Sequence, residues 1–317
     1  IVAFIVCALF TAFTGASGVT IVAMGALLYP ALKQAGYKDK FSLGLVTTSG
    51  SLGLLLPPSL PLILYGVIAQ QMSSGQEISI EKLFIAGILP AILMILLLSS
   101  WSIWANRKNK IPLISFSLQK AMSAVREAIW EIPLPFFVFT GIYSGFFAVS
   151  EAAAVTAMYV LIVEVFIYKE IKLSQLVAII RESMVMVGGI LLILGVSLGF
   201  TNYLIDAEVP MKLFEICQTF VSSKLVFLIL LNIFLLILGA MLDIFSAIII
   251  MVPLMLPVAL EYGVDPIHLG IIFLANMQIG YFTPPVGMNL FIAGYRFNKP
   301  IVEIYKATIP FMLVLLL

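Results

Sequence analysis

Long uncharged runs separated by short charged segments form the pattern of this chain. The runs fall at 1–32, 41–76, 83–106, 132–150, 183–205, 225–242, 244–260 and 266–295, and a further apolar span follows Glu151. A helix needs about 20 apolar residues to cross a bilayer, whereas the strands of membrane β-barrels alternate apolar and polar residues. Alternation of that kind is absent here, so the pattern predicts an all-α integral membrane protein.

Glycine pairs and proline pairs interrupt the longest runs. Run 1–32 as a single helix would extend roughly 48 Å, well beyond a hydrocarbon core of about 30 Å. Because Gly15 and Gly18 permit a tight reversal at its middle, we expect a re-entrant helical hairpin there. Pro57-Pro58 and Pro284-Pro285 each remove two N–H donors, so we expect a helix broken within the membrane at both places.

An internal repeat relates the two proline pairs. An offset of 227 residues places one pair on the other, and without a gap it also superposes Pro30 on Pro257, Gly36 on Gly263 and Gly53 on Gly280. We therefore expect two repeats, each with a hairpin, a glycine turn and a broken helix. The predicted division is 1–76 for the first repeat core, 77–131 for a scaffold helix and a cytoplasmic amphipathic helix, 132–224 for connecting and scaffold helices, 225–295 for the second repeat core, and 296–317 for the start of a C-terminal helix.

The basic residues predict the orientation. If 1–32 and 225–260 each return to the side they entered from, 14 of the 17 Lys and Arg residues collect on one side. The positive-inside rule makes that side cytoplasmic, and the two hairpins then open to opposite sides as an inverted repeat. Two full crossings of 225–260 would give the same count. Segment 112–131 is expected to be an amphipathic helix on the cytoplasmic surface, with a plain loop as the alternative.

Composition narrows the possible functions. Of the 317 residues 62% are apolar and only 10% are charged, and the mean hydropathy is +1.16, which excludes an ordinary soluble domain or a nucleic-acid binder. No nucleotide-binding or nucleophile motif appears, so we predict no enzyme activity, no cofactor and no transition metal. Inverted repeats with broken helices are typical of secondary transporters, which bind substrates and ions where helices unwind.

Hydroxyl and amide residues cluster at both proline breaks, and two acidic residues lie within the membrane. Freed carbonyls and hydroxyls suit Na⁺, and half-helix N-termini suit an anion. A local bond to the carbonyl one turn earlier is the alternative for each hydroxyl. The acidic residues, Asp243 and Glu151, are functional candidates because intramembrane carboxylates are costly, and helix capping is the alternative for both. The clustered residues are Thr47, Thr48, Ser49, Ser51 and Ser59 at the first break, and Asn276, Gln278, Thr283 and Asn289 at the second.

Three segments resemble signature regions of the large membrane subunit of TRAP (tripartite ATP-independent periplasmic) transporters. They are residues 15–66 (GASGVTIVAMG to PPSLPLILYG), residues 242–291 (LDIFSAIIIMVP to TPPVGMNLF) and residues 141–159 (GIYSGFFAVSEAAAVTAMY). In the third, Ala148-Val149-Ser150 stands where the family usually has Thr-Pro-Thr. The resemblance covers essentially the whole chain, and the family subunit extends beyond both of its ends.

The resemblance implies an Na⁺-driven elevator-type transporter of the bacterial inner membrane that takes up an organic acid, such as a C4-dicarboxylate or a sialic acid. It also implies two partners, a periplasmic substrate-binding protein and a small membrane subunit. Alternatives are a divalent-anion/Na⁺ symporter that needs no binding protein, whose hairpin tips typically carry Ser-Asn-Thr, and a polytopic membrane enzyme.

The family motifs and the positions of the breaks also assign roles to residues. Na⁺ is the only metal expected. The first Na⁺ site is assigned to Ser17, Ser49, Ser51, Gly53 and Ser59, the second to Gly239, Gly280, Thr283 and Val286, and the substrate region to Asp243, Asn276, Asn289, Glu151 and Thr48.

Overall fold

The computed structural model of the chain describes residues 1–72, 78–108, 117–144, 146–221 and 223–317. These residues are mostly helical and contain no β-strand, as the apolar runs predict. The α-helices are α1 Val2–Thr14, α2 Ser17–Gln34, α3 Asp39–Ser49, α4 Leu60–Met72, α5 Ile80–Asn106, α6 Leu118–Glu127, α7 Pro133–Tyr143, α8 Val149–Ile162, α9 Leu173–Asp206, α10 Val209–Phe220, α11 Lys224–Met241, α12 Ile244–Glu261, α13 Pro266–Gly280, α14 Met288–Phe297 and α15 Ile301–Leu315.

Several of these helices have the length and composition of membrane spans. Within the described ranges, five segments are long and apolar enough to cross a bilayer. Two of them are α11 and α12, with 18 residues each, or roughly 27 Å at 1.5 Å per residue. The other three segments are Asp39–Met72, Ile80–Asn106 and Ser150–Ile167. The all-helical architecture is therefore that of an integral membrane protein.

The chain forms two compact units. The first contains Ile1–Pro112 together with Leu194–Leu317, and so it unites the two segments assigned to repeat cores. The second contains Leu113–Ile193. Within this second unit, Tyr159 and Tyr168 on and after α8 donate hydroxyl hydrogen bonds of 2.6 Å to the carbonyls of Trp130 and Glu127. These bonds fasten the end of α6 and the turn after it to α8.

Helix α6 has the amphipathic pattern expected of segment 112–131. Its apolar side chains Leu118, Met122 and Val125 recur at helical spacing on one face, and each is at least half exposed. Gln119, Ser123 and Glu127 occupy the other side. Residues 112–116 of the predicted segment lie outside the described ranges.

Helix boundaries in the first unit repeat with the offset found in the sequence. Shifting α2 by 227 residues gives the two ends of α12, and the same shift moves the start of α3 to the start of α13. Gly36 and Gly263, which lie between these helices, have φ values of +86° and +69°. Side chains disfavour this left-handed backbone, so glycine at both positions supports the same turn in each repeat.

Both proline pairs lie between helices. Helix α3 ends at Ser49, a short 3₁₀ helix covers Leu52–Leu55, and α4 begins only at Leu60. In the second repeat α13 ends at Gly280 and α14 begins at Met288. Pro57-Pro58 and Pro284-Pro285 therefore fall in non-helical backbone at equivalent positions.

The two repeat cores pack against each other, and each also packs against the helix that follows the other core. Helix α2 contacts α14, and its equivalent α12 contacts α4. Helix α3 packs on α15, while α13 packs on α5. Ion pairs also connect the turns. Asp39 pairs with Lys33 at 3.0 Å and with Lys299 at 2.9 Å, and Lys299 also pairs with Glu303 at 3.2 Å. The carboxylate of Asp39, followed by that of Glu303, raises the pKa of Lys299.

Candidate functional site

The tips of two helix pairs meet at one cavity. Helices α1 and α2 meet at Gly15, whose φ of +64° allows the chain to turn, and α11 and α12 meet at Leu242 and Asp243. A cavity of about 660 Å³ separates the two tips. It is lined by Gly15, Ala16, Ser17, Gly18, Val19, Val22, Ala23, Asp243, Ile244, Phe245, Tyr281, Met288 and Ile292.

The two helix N-termini at this cavity differ in their capping. Helix α12 is capped by Asp243, whose carboxylate accepts from the Ser246 backbone N–H at 2.9 Å and from the Ser246 hydroxyl at 2.8 Å. Helix α2 follows Ala16 and has no side-chain cap. Its first N–H groups have no partner within the helix and carry the positive end of the helix dipole. The N-terminus of α2 is therefore the more favourable position for an anion.

Among the described residues that line the cavity, Asp243 carries the charged side chain. Asp243 is half-buried and lines the cavity. Its carboxylate therefore both caps α12 and faces the cavity. No Lys or Arg is among the described residues that line the cavity. An anionic ligand would therefore depend on backbone N–H groups and hydroxyls.

Three hydroxyl side chains before the first break make hydrogen bonds within their own helix. Thr47 and Thr48 donate to the carbonyls of the residues four positions earlier at 2.8 and 2.7 Å, and Ser49 donates to Val46 at 3.2 Å. All three are buried, and they make the bonds to the preceding helical turn that were the alternative to a binding role. The Ser51 hydroxyl also has a local contact, to the Thr48 carbonyl at 3.4 Å, but its shorter bond reaches the second repeat, where it donates to the Gln278 carbonyl at 3.1 Å.

Ser59 replaces a hydrogen bond that proline cannot make. In a regular helix the Leu54 carbonyl would accept from the N–H of residue 58, but Pro58 has none. The Ser59 hydroxyl donates to the Leu54 carbonyl instead, at 2.5 Å. Gly53 lies just before, where a Cβ would come within 2.0 Å of the Ala8 carbonyl oxygen on α1. The first break is thus packed directly against the first hairpin.

The second break repeats this packing with a pair of glycines. A Cβ on Gly280 would lie 2.6 Å from the backbone of Gly239 on α11. The Gly280 carbonyl accepts from the Thr283 N–H at 3.0 Å, and the Thr283 hydroxyl donates to the Ile279 carbonyl at 2.8 Å. Val286 lies on the outer side of this loop with 43% of its surface exposed.

The asparagines assigned to the substrate region occupy different surroundings. Asn289 is fully buried and donates to the Thr47 carbonyl at 3.4 Å, next to Thr48, while its side-chain oxygen has no hydrogen-bond partner. Asn276 instead donates to the side chain of Asn232 on α11 at 2.6 Å. Asn289 therefore lies at the first break, whereas Asn276 links α13 to α11 by a hydrogen bond.

Glu151 belongs to the second compact unit. Its carboxylate is exposed and accepts from the backbone N–H of Ala148 at 3.0 Å, which caps the start of α8. This contact is the capping role considered as the alternative. Ser17 and Asp243 are the assigned residues that the cavity brings together.

Three residues at or near the cavity were not predicted from the sequence to belong to the site. The Tyr281 hydroxyl accepts from the Ile244 N–H at 2.6 Å and lines the cavity. Thr11 bonds to the hydroxyl of Thr20 at 2.8 Å and to the Gly50 carbonyl at 2.9 Å, which joins both arms of the first hairpin to the first break. The sequence pattern could have indicated Thr11 and Thr20, because they are polar residues on either side of a predicted hairpin tip.

Apolar spanning helices, paired helix tips around one cavity and unwound backbone beside them are features of a helical membrane transporter. The sequence profile described as "Tripartite ATP-independent periplasmic transporter, DctM component" matches residues 1–317. The chain belongs to this family. Its relatives are named as transporter permeases, and members of this family are inner-membrane transporters, so the chain is an inner-membrane transport protein and not an enzyme.

Characterised relatives support this membership. A C4-dicarboxylate TRAP transporter large permease protein of Pseudomonas aeruginosa is 35% identical over 317 residues, which are the whole chain and 73% of the relative. An isethionate TRAP transporter permease protein of Oleidesulfovibrio alaskensis is 35% identical over 98% of the chain and 48% of its own length. A sialic acid TRAP transporter permease protein of Haemophilus influenzae is 32% identical over 95% of the chain and 48% of its own length. Family membership decides against the divalent-anion symporter and the membrane enzyme.

Proposed function

We propose that the chain carries out Na⁺-coupled secondary uptake of an organic acid that a periplasmic substrate-binding protein delivers. A small membrane subunit would complete the system. The observation that carries this proposal is the cavity between the two helix-pair tips, with Asp243 on one side and the uncapped start of α2 on the other.

The cavity suits a carboxylate or sulfonate group. Relatives are named for C4-dicarboxylate, isethionate and sialic acid, all of which are anions. Backbone N–H groups at a helix N-terminus bind anions without any basic side chain. We assign this role to the start of α2 at Ser17, Gly18 and Val19, which line the cavity. Asp243 would accept hydrogen bonds from hydroxyl groups of the substrate.

Na⁺ would bind at the two breaks, where carbonyl and hydroxyl oxygens are close together. Na⁺ is a hard cation that is coordinated by unwound backbone in transporters of this kind. The first site retains the assignment to Ser17, Ser49, Ser51, Gly53 and Ser59, and the second to Gly239, Gly280, Thr283 and Val286. The backbone contacts Gly53–Ala8 and Gly280–Gly239 support it, because they hold each break against a hairpin.

The transport cycle would move the repeat cores as one body. The two cores belong to one compact unit, which is consistent with an elevator mechanism in which hairpins and breaks travel together. In this proposal α1–α2 and α11–α12 are re-entrant and open to opposite sides. The substrate cavity between their tips would then be accessible from each side in turn.

Ion replacement tests the coupling. Purified protein is reconstituted in proteoliposomes with its small subunit, and uptake of labelled substrate is driven by its binding protein. Replacing external Na⁺ with K⁺ or choline is expected to reduce uptake to background, because larger cations do not fit a compact site of carbonyl and hydroxyl oxygens. Equal uptake in K⁺ would refute the proposed coupling.

Cysteine labelling tests orientation. In a background without Cys7 and Cys217, we expect Lys38→Cys to be protected from an impermeant thiol reagent added outside and Lys212→Cys to react. Ser246→Cys, beside Asp243, is expected to react from outside in one transport state only, so its labelling should change with Na⁺ and substrate. Outside labelling of Lys38→Cys would contradict the topology, and constant labelling of Ser246→Cys would contradict a gated tip.

A further inference from the structure

Ser51 and Gln278 are equivalent positions of the two repeats, and they touch each other. They are 227 residues apart, which is the repeat offset, and the Ser51 hydroxyl donates to the Gln278 carbonyl at 3.1 Å. When two copies of a motif pack around a two-fold axis, equivalent residues come into mutual contact only at that axis. The pair therefore marks the place where the first break meets the second.

Packing around the pair follows the same symmetry. Gly53 approaches Ala12 of α1, where an added Cβ would lie 2.5 Å from the Ala12 nitrogen. Gly280, the equivalent of Gly53, approaches Gly239 of α11, the equivalent of Ala12. Each break is thus fixed to its own hairpin, while Ser51 and Gln278 connect one break to the other.

The Ser51 hydroxyl supplies a missing partner for α13. In a regular helix the Gln278 carbonyl would accept from the N–H of Phe282, but that N–H bonds to the Ile279 carbonyl at 3.2 Å. The Gln278 carbonyl accepts from Ser51 instead, and both residues are fully buried. Ser51 therefore orders the last turn of α13, two residues before the Gly280 carbonyl.

We propose that the Ser51–Gln278 hydrogen bond couples the two Na⁺ sites, with Ser51 as a first-site ligand that also positions the end of α13. This inference rests on the proposed function. A hydroxyl has one proton and two lone pairs, so the Ser51 oxygen can coordinate a cation while its O–H group still donates to the Gln278 carbonyl. A cation on the Ser51 oxygen polarises the O–H group and strengthens its bond to the Gln278 carbonyl.

The stronger bond orders the backbone that leads to Gly280 in the second site. Na⁺ at the first site therefore raises the affinity of the second. The reverse effect must have the same size, because coupling of binding free energies is reciprocal.

A double-mutant cycle measures this coupling. Ser59→Ala removes a first-site oxygen, and Thr283→Val removes a second-site oxygen at nearly constant volume. The readout is the Na⁺ concentration that gives half-maximal thermal stabilisation of the purified protein in detergent. In the wild-type background we expect the effects of the two substitutions to depart from additivity by about fivefold or more. In the Ser51→Ala background, the double variant should change the half-maximal Na⁺ concentration by the product of the two single-variant effects.

A neighbouring serine provides the control. Ser42 is also buried and lies on α3, and its hydroxyl donates to the Lys38 carbonyl at 3.2 Å, within its own helix turn and away from the second repeat, so Ser42→Ala should leave the coupling intact. Ser51→Cys keeps the side-chain volume with a weak donor, and it should lose the coupling as Ser51→Ala does. Undiminished coupling in both Ser51 variants would overturn this inference alone. A wild-type protein that Na⁺ stabilises no more than K⁺ would instead refute the Na⁺ sites and the proposed coupling to Na⁺.

Discussion

Gly280→Ala is expected to abolish uptake and to lower the stability of the folded protein by about 1–3 kcal/mol, the range for overpacking a close contact. The added methyl group would lie 2.6 Å from the Cα and carbonyl carbon of Gly239. Both neighbours are backbone, which has no rotamer to change, so α11 and α13 would have to separate. That separation would also displace the Gly280 carbonyl from the proposed second Na⁺ site.

Gly53→Ala should have the same effect on the first repeat, where the methyl group would meet the Ala8 carbonyl oxygen at 2.0 Å. Gly294 in α14 is a matched control, because its nearest neighbour to an added Cβ is 3.4 Å away. Thermal unfolding in detergent and uptake in proteoliposomes are measured for all three variants. Normal uptake by Gly280→Ala would contradict the contact between hairpin and break.

Residues that control the backbone made a few of the helix boundaries predictable. Glycine and proline act through their own φ angles and missing N–H groups, so their effects can be read without knowing any tertiary contact. Gly15 marks the turn between α1 and α2, and the offset of the proline pairs also relates the ends of α2 to those of α12. Gly15 and both proline pairs lie between helices in the structure, while helices broken within the membrane stay a prediction.

Side-chain partners were less predictable, since they depend on residues far away in the chain. Thr47, Thr48 and Ser51 have similar chemistry in one short segment, but the first two bond only within α3 among the described residues, while Ser51 contacts the Thr48 carbonyl and also reaches Gln278. Only the packing of one repeat on the other decides this difference. The role of Tyr281 likewise follows from the position of α12, because its hydroxyl accepts from the first N–H of that helix.

Asp243→Asn is expected to reduce uptake roughly five- to tenfold while the protein remains folded. Asparagine caps helices nearly as well as aspartate, so the bond to the Ser246 N–H can persist. The charge is lost, however, and hydrogen bonds to a charged group contribute about 1–1.5 kcal/mol more than those to a neutral one, which corresponds to roughly a five- to tenfold change in binding. Since Asp243 is the carboxylate that lines the cavity, we expect this loss to appear in substrate uptake.

Asp265→Asn separates the capping role from the role in the cavity. Asp265 caps α13 by accepting from the N–H groups of Ile267 and His268 at 2.8 and 3.1 Å, but it is not among the residues that line the cavity. The melting temperatures of both variants should stay close to that of the wild type, and only Asp243→Asn should reduce uptake. A similar loss of folded protein in both variants would assign Asp243 to capping alone. Wild-type uptake by Asp243→Asn would remove its charge from the transport mechanism.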